Sequence, residues 1–174
     1  MTGTVIYTSR YGATRQYAEW IGKHLNLAVS STDLIPDRIP PADFYIVGSP
    51  VYMGKLAISK WLKQNEIQFR NKKMFLFIVG GTRLDDSSAI AAIISENLPG
   101  DKTIDVDTFY LPGRMIKSSL SLKDNFMLRM GAVLTDNKEK RAEMLTDFDE
   151  VKREHMQPLI SAVESFTLQV QPTS

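Results

Sequence analysis

The sequence predicts an α/β protein in which a parallel sheet is covered by helices on both faces. Strand-like and helix-like segments alternate along the chain, and each strand-like segment is apolar almost throughout. A strand that is apolar on both of its faces has to be buried on both, which is typical of parallel sheets between two helical layers. A chain of 174 residues is most simply one domain, so we expect residues 1–174 to fold as a unit.

Five strands and four helices follow from the pattern of apolar residues. Continuous apolar runs predict strands over residues 3–8, 29–34, 43–50, 73–81 and 103–113. Apolar residues at steps of three and four predict helices over 13–27, 56–67 and 86–98, with a last helix within 147–168. A proline-broken loop separates the second and third strands, and Pro158 is expected to kink or split the last helix. Residues 111–146 form an insert that is longer than an ordinary connection.

Composition excludes several classes of function. The net charge of +1 and the lack of a basic, aromatic stripe argue against nucleic acid as a partner. Without cysteine the chain cannot form disulfides, cysteine-ligated clusters or a thiolate nucleophile. We see no signal peptide and no run of about 18 apolar residues that could span a bilayer, so the expected location is cytoplasmic.

Three loops at strand ends carry unusual residues. They read TSRYGAT after the first strand, GSPVYMGK after the third and GGTRLDD after the fourth. In an open α/β sheet, ligands bind beyond the carboxyl ends of the strands, where the direction of winding changes. These loops are therefore the candidate binding site.

The first loop has the features of an anion site. A turn that enters a helix presents free backbone N–H groups and the positive end of the helix dipole. The hydroxyls of Ser9 and Thr14 add donors, and Gly12 allows close approach of the backbone, so a phosphate monoester would fit. A plain helix cap with a turn glycine explains the same residues. Neither a G-x-G-x-x-G motif nor a correct Walker A loop is present.

Together the loops resemble the flavodoxin family of FMN-binding proteins. The resemblance covers residues 3–110 and the last helix, and it implies a three-layer sandwich with five parallel strands in the order 2-1-3-4-5. It also implies that the first loop holds the FMN phosphate, through Ser9, Arg10, Tyr11, Gly12, Ala13 and Thr14. The flavin ring would lie between two further groups of residues, which are Pro50, Val51, Tyr52, Met53 and Gly54 on one side and Gly80, Gly81, Thr82 and Arg83 on the other.

Within that family, the insert is similar to the menaquinone-dependent protoporphyrinogen oxidase group. The similarity lies in the segments LPGR, FMLRMGA and TDFDEV. This chain has Phe148 where the group has tryptophan, and its insert has fewer aromatic and basic residues. The resemblance implies a quinone or a porphyrinogen as substrate, and these departures weaken the case for porphyrinogen.

Three functions are compatible with these features. The first is an FMN-dependent oxidoreductase, the second is a flavodoxin-type electron carrier that docks on redox proteins, and the third is an interaction domain without flavin. Intact loops argue against the third. The cations Arg10, Lys55 and Arg83 lie on or beside the flavin loops and should stabilise reduced, anionic flavin. Because carriers of this family resemble one another in a strongly acidic surface, this charge favours the oxidoreductase.

The insert has three possible roles. Its first part, residues 111–131, alternates apolar residues with the cations Arg114, Lys117, Lys123 and Arg129. Such a segment could contact an anionic membrane surface, grip a flat carboxylated substrate, or pack on the protein's own core. The apolar residues are Met115, Ile116, Leu120, Leu122, Phe126, Met127 and Met130.

Other candidate residues have structural explanations. His24 and His155 are far apart on predicted helices and are expected at the surface or its boundary. Asp85 and Asp86 are expected to cap the helix that follows. The sequence offers no metal-ligand cluster and no catalytic side chain.

Overall fold

A computed structural model describes residues 1–35, 39–97 and 104–169. Within these ranges, one central sheet contains the strands β1 (Gly3–Tyr7), β2 (Ala28–Ser31), β3 (Phe44–Tyr52), β4 (Lys55–Leu56), β5 (Lys73–Gly80) and β6 (Asp105–Pro112). Their order is β2-β1-β3-β5-β6, and β4 pairs only with β3. All pairs are parallel except β3 with β4. Without β4, the parallel strands have the predicted order 2-1-3-4-5, which confirms the fold class.

Helices cover both faces of this sheet. Their bounds are α1 (Ala13–Leu25), α2 (Ser59–Gln64), α3 (Glu66–Phe69), α4 (Ser87–Asn97), α5 (Leu122–Val133), α6 (Lys138–Met144) and α7 (Gln157–Gln169). Helices α1 and α7 pack on one face, where the buried side chains include Tyr17, Leu159 and Phe77. Helices α2, α3 and α4 contribute to the core on the other face, around Phe69 and Leu76. Successive residues of β5 alternate between these two cores, which explains its continuous apolar run.

The predicted helix over 56–67 is wrong in its bounds. Strand β3 continues to Tyr52 and turns back through Met53 and Gly54 into β4, which ends at Leu56. The helical part is split into the short helices α2 and α3, which meet at Asn65. Both residues of the turn have positive φ, 51° and 75°, and this conformation suits a two-residue hairpin between twisted strands. Methionine rarely adopts this conformation, so a Met-Gly pair does not predict a hairpin.

The expectation for Pro158 is also wrong. A short 3₁₀ helix, Arg153–Met156, precedes α7, and Pro158 is the second residue of α7. A proline in the first helical turn removes no intrahelical hydrogen bond, because the N–H groups there have no partner within the helix. The proline therefore marks the start of the helix.

Parts of three predicted segments lie outside the described residues. They are the middle of the proline-broken loop (36–38), the end of the helix predicted over 86–98 and the start of the strand predicted over 103–113. The described parts of the latter two form α4 and β6.

The insert begins and ends at a small antiparallel sheet of its own. Strand β7 (Arg114–Met115) follows β6 directly and pairs with β8 (Phe148–Asp149), which precedes the last helix. Between β7 and β8 lie a 3₁₀ turn (Lys117–Ser119) and the helices α5 and α6. The two ends of the insert are therefore neighbours, and helix α5 between them packs over the carboxyl ends of β1 and β3.

Candidate functional site

The first loop is an open turn at the start of α1. Gly12 has φ +86°, and no heavy atom lies within 4 Å of the position that a Cβ would take there. The Ser9 hydroxyl accepts hydrogen bonds from the backbone N–H groups of Gly12 (3.2 Å) and Arg15 (3.3 Å). Ala13 and Thr14 are buried in the first turn of the helix. The loop thus combines helix N–H donors with unfilled space beside its glycine.

The second loop is the hairpin between β3 and β4. Tyr52 pairs with Lys55 across the turn formed by Met53 and Gly54. Asn97, at the end of α4, donates to the Gly54 carbonyl (2.9 Å) and accepts from the Leu56 N–H (2.9 Å). The helix therefore braces the hairpin from outside. As at Gly12, nothing lies within 4 Å of a Cβ built on Gly54.

The third loop runs from Gly80 to Arg83, after β5. The Tyr110 hydroxyl accepts a hydrogen bond from the Thr82 N–H (2.8 Å), so β6 fixes the loop. Burial raises the pKa of Tyr110. The ring of Phe148 packs against the same loop, since a Cβ on Gly81 would lie 3.0 Å from its Cζ. Arg83 forms an exposed ion pair with Asp85 (2.9 Å).

A carboxylate from the insert joins the first and second loops. Asp124, in the first turn of α5, is only 6% exposed. Arg10 donates to both of its oxygens, from Nε and Nη2 at 2.9 Å each. The hydroxyl of Tyr52 donates to Oδ1 (2.6 Å), and that of Tyr11 donates to Oδ2. Arg10 also lies over the ring of Tyr52, 4.0 Å from its centroid.

These contacts keep Asp124 ionised. The hydrogen bond from Tyr11, then those from Tyr52 and Arg10, lower the pKa of Asp124 to about 2. The same network raises the pKa of Arg10, chiefly through Tyr11, and that of Tyr52, chiefly through its bond to Asp124. At neutral pH the cluster is therefore a carboxylate held by one guanidinium and two phenols.

The cluster corrects the sequence-based argument about charge. The sequence predicts an uncompensated cation at Arg10, whereas in the structure its charge is balanced by Asp124. Arg83 is paired with Asp85, although both are exposed and such a pair is weak in water. Lys55 lies exposed on β4. The flavin loops are therefore less positive than the sequence predicts.

The ends of the insert are fastened to α1. The buried Tyr17 hydroxyl donates to the Pro112 carbonyl (2.9 Å) and accepts from the Lys152 N–H (3.2 Å). Its burial raises the pKa of Tyr17 to about 12. Arg114 contacts Asp149 (2.7 Å) across β7 and β8 and donates to Gln16 (2.6 Å). A cleft of about 190 Å³ lies between this base and the first loop, lined by Tyr11, Arg114, Met115, Ile116, Ser119 and Leu120.

Core packing, one of the three roles considered for the insert, does not apply to four of its seven apolar residues. Met115, Ile116 and Leu120 are half-buried, whereas Leu122, Phe126, Met127 and Met130 are exposed. On α5, Leu122, Phe126, Met130 and Val133 recur at steps of three and four, so they share one face. Asp124 and Ala132 are the residues of α5 that are buried. The helix thus contacts the flavin loops through one side and exposes apolar side chains on another.

The remaining candidates have the structural roles expected of them, with one change. Asp86 caps α4 by accepting from the Ala89 N–H (3.1 Å), whereas Asp85 pairs with Arg83. His24 is exposed beside Glu164, and His155 is half-buried ahead of α7. Across residues 1–35, 39–97 and 104–169, no group of three histidine or acidic residues could hold a metal ion. Over the same ranges, no helix is both long and apolar enough to cross a bilayer.

Asp124 is the residue that the sequence analysis missed. Two signals point to it: it is the one acidic residue between Arg114 and Arg129, and it stands three residues after Ser121. That spacing predicts a helix start, and Ser121 does cap α5 by accepting from the Asp124 N–H (3.1 Å). The contact with Arg10 spans 114 positions of sequence, so nothing local could predict it. Tyr17 and Tyr110 were missed for the same reason.

The residues at the three loops fit FMN. Positive-φ glycines stand in the first and second loops with open space beside them, and the first loop leads into the N-terminus of α1. A phosphate monoester suits the first loop, and the carboxyl ends of β1, β3 and β5 are adjacent across the sheet. Which side chains touch the cofactor stays a prediction, for all fifteen residues named from sequence.

Comparison with known proteins places the chain in a family. The profile described as Flavodoxin domain matches residues 4–142. A search of curated sequences found no match. Among solved structures, an NADH:FMN oxidoreductase in its apo form is 15% identical over 99% of this chain and 92% of that one, with a TM-score of 0.52.

Two further structures are similar at lower scores. A flavodoxin from the domain Archaea is 20% identical over 68% of this chain and 88% of that one, with a TM-score of 0.47. A flavoprotein from Lactobacillus acidophilus NCFM, solved in complex with FMN, is 15% identical over 64% and 91%, with a TM-score of 0.44. At 15% identity, the NADH:FMN oxidoreductase is evidence for the fold alone. The profile match covers most of the chain, and with the sheet order and loop geometry it shows that the chain belongs to the flavodoxin domain family.

Proposed function

We propose that this chain is an FMN-dependent oxidoreductase that transfers electrons between the flavin and a flat organic substrate, a quinone or a porphyrinogen. The observation that carries the proposal is the insert. Its helix α5 bonds to the first and second flavin loops through Asp124 and exposes apolar side chains on another side of the helix. We take this helix as the element that receives an apolar substrate beside the flavin.

FMN is the cofactor. The chain belongs to the flavodoxin domain family, and its first loop offers one phosphate site without a dinucleotide motif. Bound FMN would supply electron transfer in steps of one or two electrons. The residues of this chain would hold it: the first loop by its N–H groups, and the hairpin and the Gly80–Arg83 loop at the two sides of the ring.

An apolar, partly basic approach to the flavin supports the choice of substrate class. The cleft beside Tyr11 has the apolar wall Met115, Ile116 and Leu120, with Arg114 at its edge. Flat, weakly polar molecules with an acidic or carbonyl group match such a surface. The same surface would suit substrates that partition into membranes, so contact of α5 with a lipid surface belongs to this proposal.

Anaerobic spectroscopy tests the proposed reaction. The purified protein is loaded with FMN and reduced with NADH or NADPH, or photochemically if neither nicotinamide serves as donor. Menaquinone analogues are then added to the reduced protein, and oxidised protein is mixed with protoporphyrinogen. We expect rapid reoxidation by a quinone, or reduction by the porphyrinogen, at rates well above those of free FMN. Rates equal to those of free FMN with every substrate would contradict an oxidoreductase.

The electron carrier is the second candidate, because the charge pairing at the loops favours it. Balancing Arg10 with Asp124 removes part of the positive charge that would stabilise two-electron reduced flavin. A reductive titration separates the two candidates. Reduction in two resolved one-electron steps, with no reactivity toward small substrates, would support the carrier. Reduction in a single two-electron step would support the oxidoreductase.

A further inference from the structure

We propose that Asp124 is a positioning residue that acts through Arg10, and that its carboxylate lowers the reduction potential of bound FMN. The inference rests on the proposed binding of FMN and goes beyond it, because it assigns control of the potential to the insert. The first loop would supply the cation through Arg10, and α5 would supply the anion that balances it.

The geometry leaves Arg10 committed to Asp124. Its Nε and Nη2 groups, which form one edge of the guanidinium, donate to the two carboxylate oxygens at 2.9 Å each. A paired, bidentate arrangement of this kind is both strong and specific in orientation. Tyr52 and Tyr11 donate to the same carboxylate, so one anion holds side chains from both loops.

Arg10 lies where its charge would act on the flavin ring. Arg10 lies over the aromatic ring of Tyr52, a residue at the end of β3 that is expected to flank the flavin. A bare cation there would favour the reduced, negatively charged flavin over the oxidised, neutral one. Pairing with Asp124 cancels most of that effect, and removal of the carboxylate charge would restore it.

The midpoint potential of bound FMN tests the inference. Asp124→Asn keeps the size of the side chain and removes its charge, and Asp136→Asn removes one charge from an exposed part of the same insert as a matched control. We expect Asp124→Asn to favour binding of reduced over oxidised FMN by roughly tenfold. For a two-electron couple, this raises the potential by about 30 mV. Asp136→Asn should leave the potential within error of wild type.

A second pair of variants checks the route through Arg10. Arg10→Gln leaves Asp124 unbalanced and should lower the potential, even if Asp124→Asn proves too unstable to measure. The double variant Arg10→Gln, Asp124→Asn should return close to the wild-type potential, because both charges are gone. A shift in the double variant equal to that of Asp124→Asn alone would overturn the role of Arg10.

The outcomes separate this inference from the proposed function. Wild-type protein that takes up no FMN would overturn both. Normal uptake of FMN with equal potentials in wild type, Asp124→Asn and Arg10→Gln would overturn the inference alone. A weaker affinity of Asp124→Asn for both oxidation states, with the potential unchanged, would also overturn it, because it would show that Asp124 supports only the shape of the site.

Discussion

At the scale of single residues, a side chain at position 12 would be unfavourable for two reasons. The φ of +86° at Gly12 lies in the left-handed region, and the space beside it is open where the phosphate is expected. We expect Gly12→Ala to lower the free energy of unfolding by about 1–2 kcal/mol and to weaken FMN binding, because the Cβ would enter the open space. Chemical denaturation and flavin titration measure the two effects. Gly131→Ala, within α5, is the control and should be neutral or stabilising.

Asp124 also makes a prediction about acid stability. Its pKa is lowered to about 2 from an ordinary value of 3.8. A carboxyl with a depressed pKa contributes its full stabilisation above the unfolded-state pKa and loses it as the pH falls through the folded-state pKa. The stability difference between wild type and Asp124→Asn should therefore be constant from pH 7 to about pH 4 and shrink toward pH 2. Urea unfolding across this range measures it, and a difference that changes between pH 5 and 7 would contradict the assignment.

At the scale of elements, the insert depends on one buried hydroxyl at its base. Tyr17 on α1 bonds to Pro112 at the insert's start and to Lys152 after its end. Tyr17→Phe leaves the buried Pro112 carbonyl and the partly buried Lys152 N–H without this partner. We therefore expect the free energy of unfolding to fall by about 1–3 kcal/mol. In this variant, hydrogen exchange should be faster than in wild type at the Lys152 amide and unchanged at the amides of β5. Unchanged exchange at Lys152 would show that the hydroxyl does not fasten the insert.

The exposed face of α5 predicts binding to anionic lipid. Leu122 is 93% exposed and Phe126 is 63% exposed, with Lys123 and Arg129 on the same helix. Replacing Leu122, Phe126 and Val133 by Gln should reduce cosedimentation with anionic vesicles by roughly tenfold or more. Because these side chains are exposed, the fold and FMN affinity should be unchanged.

A matched variant controls for exposed apolar area in general. Leu34, Ile67 and Leu168 are similarly exposed, at 78%, 79% and 71%, but lie outside the insert. Replacing these three by Gln should leave vesicle binding at the wild-type level. Equal losses in the two triple variants, or no vesicle binding by wild type, would remove the membrane role from the proposal.

At the scale of the whole molecule, the flavin should stabilise the native state selectively. A ligand that binds only the folded protein adds about 2.7 kcal/mol at a concentration of 100 times its dissociation constant. We therefore expect FMN to raise the melting temperature in a concentration-dependent way, whereas FAD at equal concentration should have little effect. A larger shift with FAD than with FMN would contradict the single-phosphate site predicted from the first loop.

Much of the architecture was predictable because its determinants are local. Strands β1, β3 and β5 are continuous apolar runs, and both faces of each are covered by helices. The turn at Met53 and Gly54 was not predictable, because its positive φ at a methionine depends on the pairing of Tyr52 with Lys55 and on the brace from Asn97. The misjudged role of Pro158 came from placing the helix start too early.

By itself, the sequence determined the α/β class and the three loops between strands and helices. Both follow from periodicity and from turn residues, which act within a few positions of the chain. The order of the parallel strands was implied by the resemblance to the flavodoxin family. The tertiary structure alone decided the charge at those loops, because the partner of Arg10 lies 114 positions away on α5. It also decided that the apolar residues of α5 face outward. Coulombic pairing and burial depend on distance in space, and no local pattern encodes that distance.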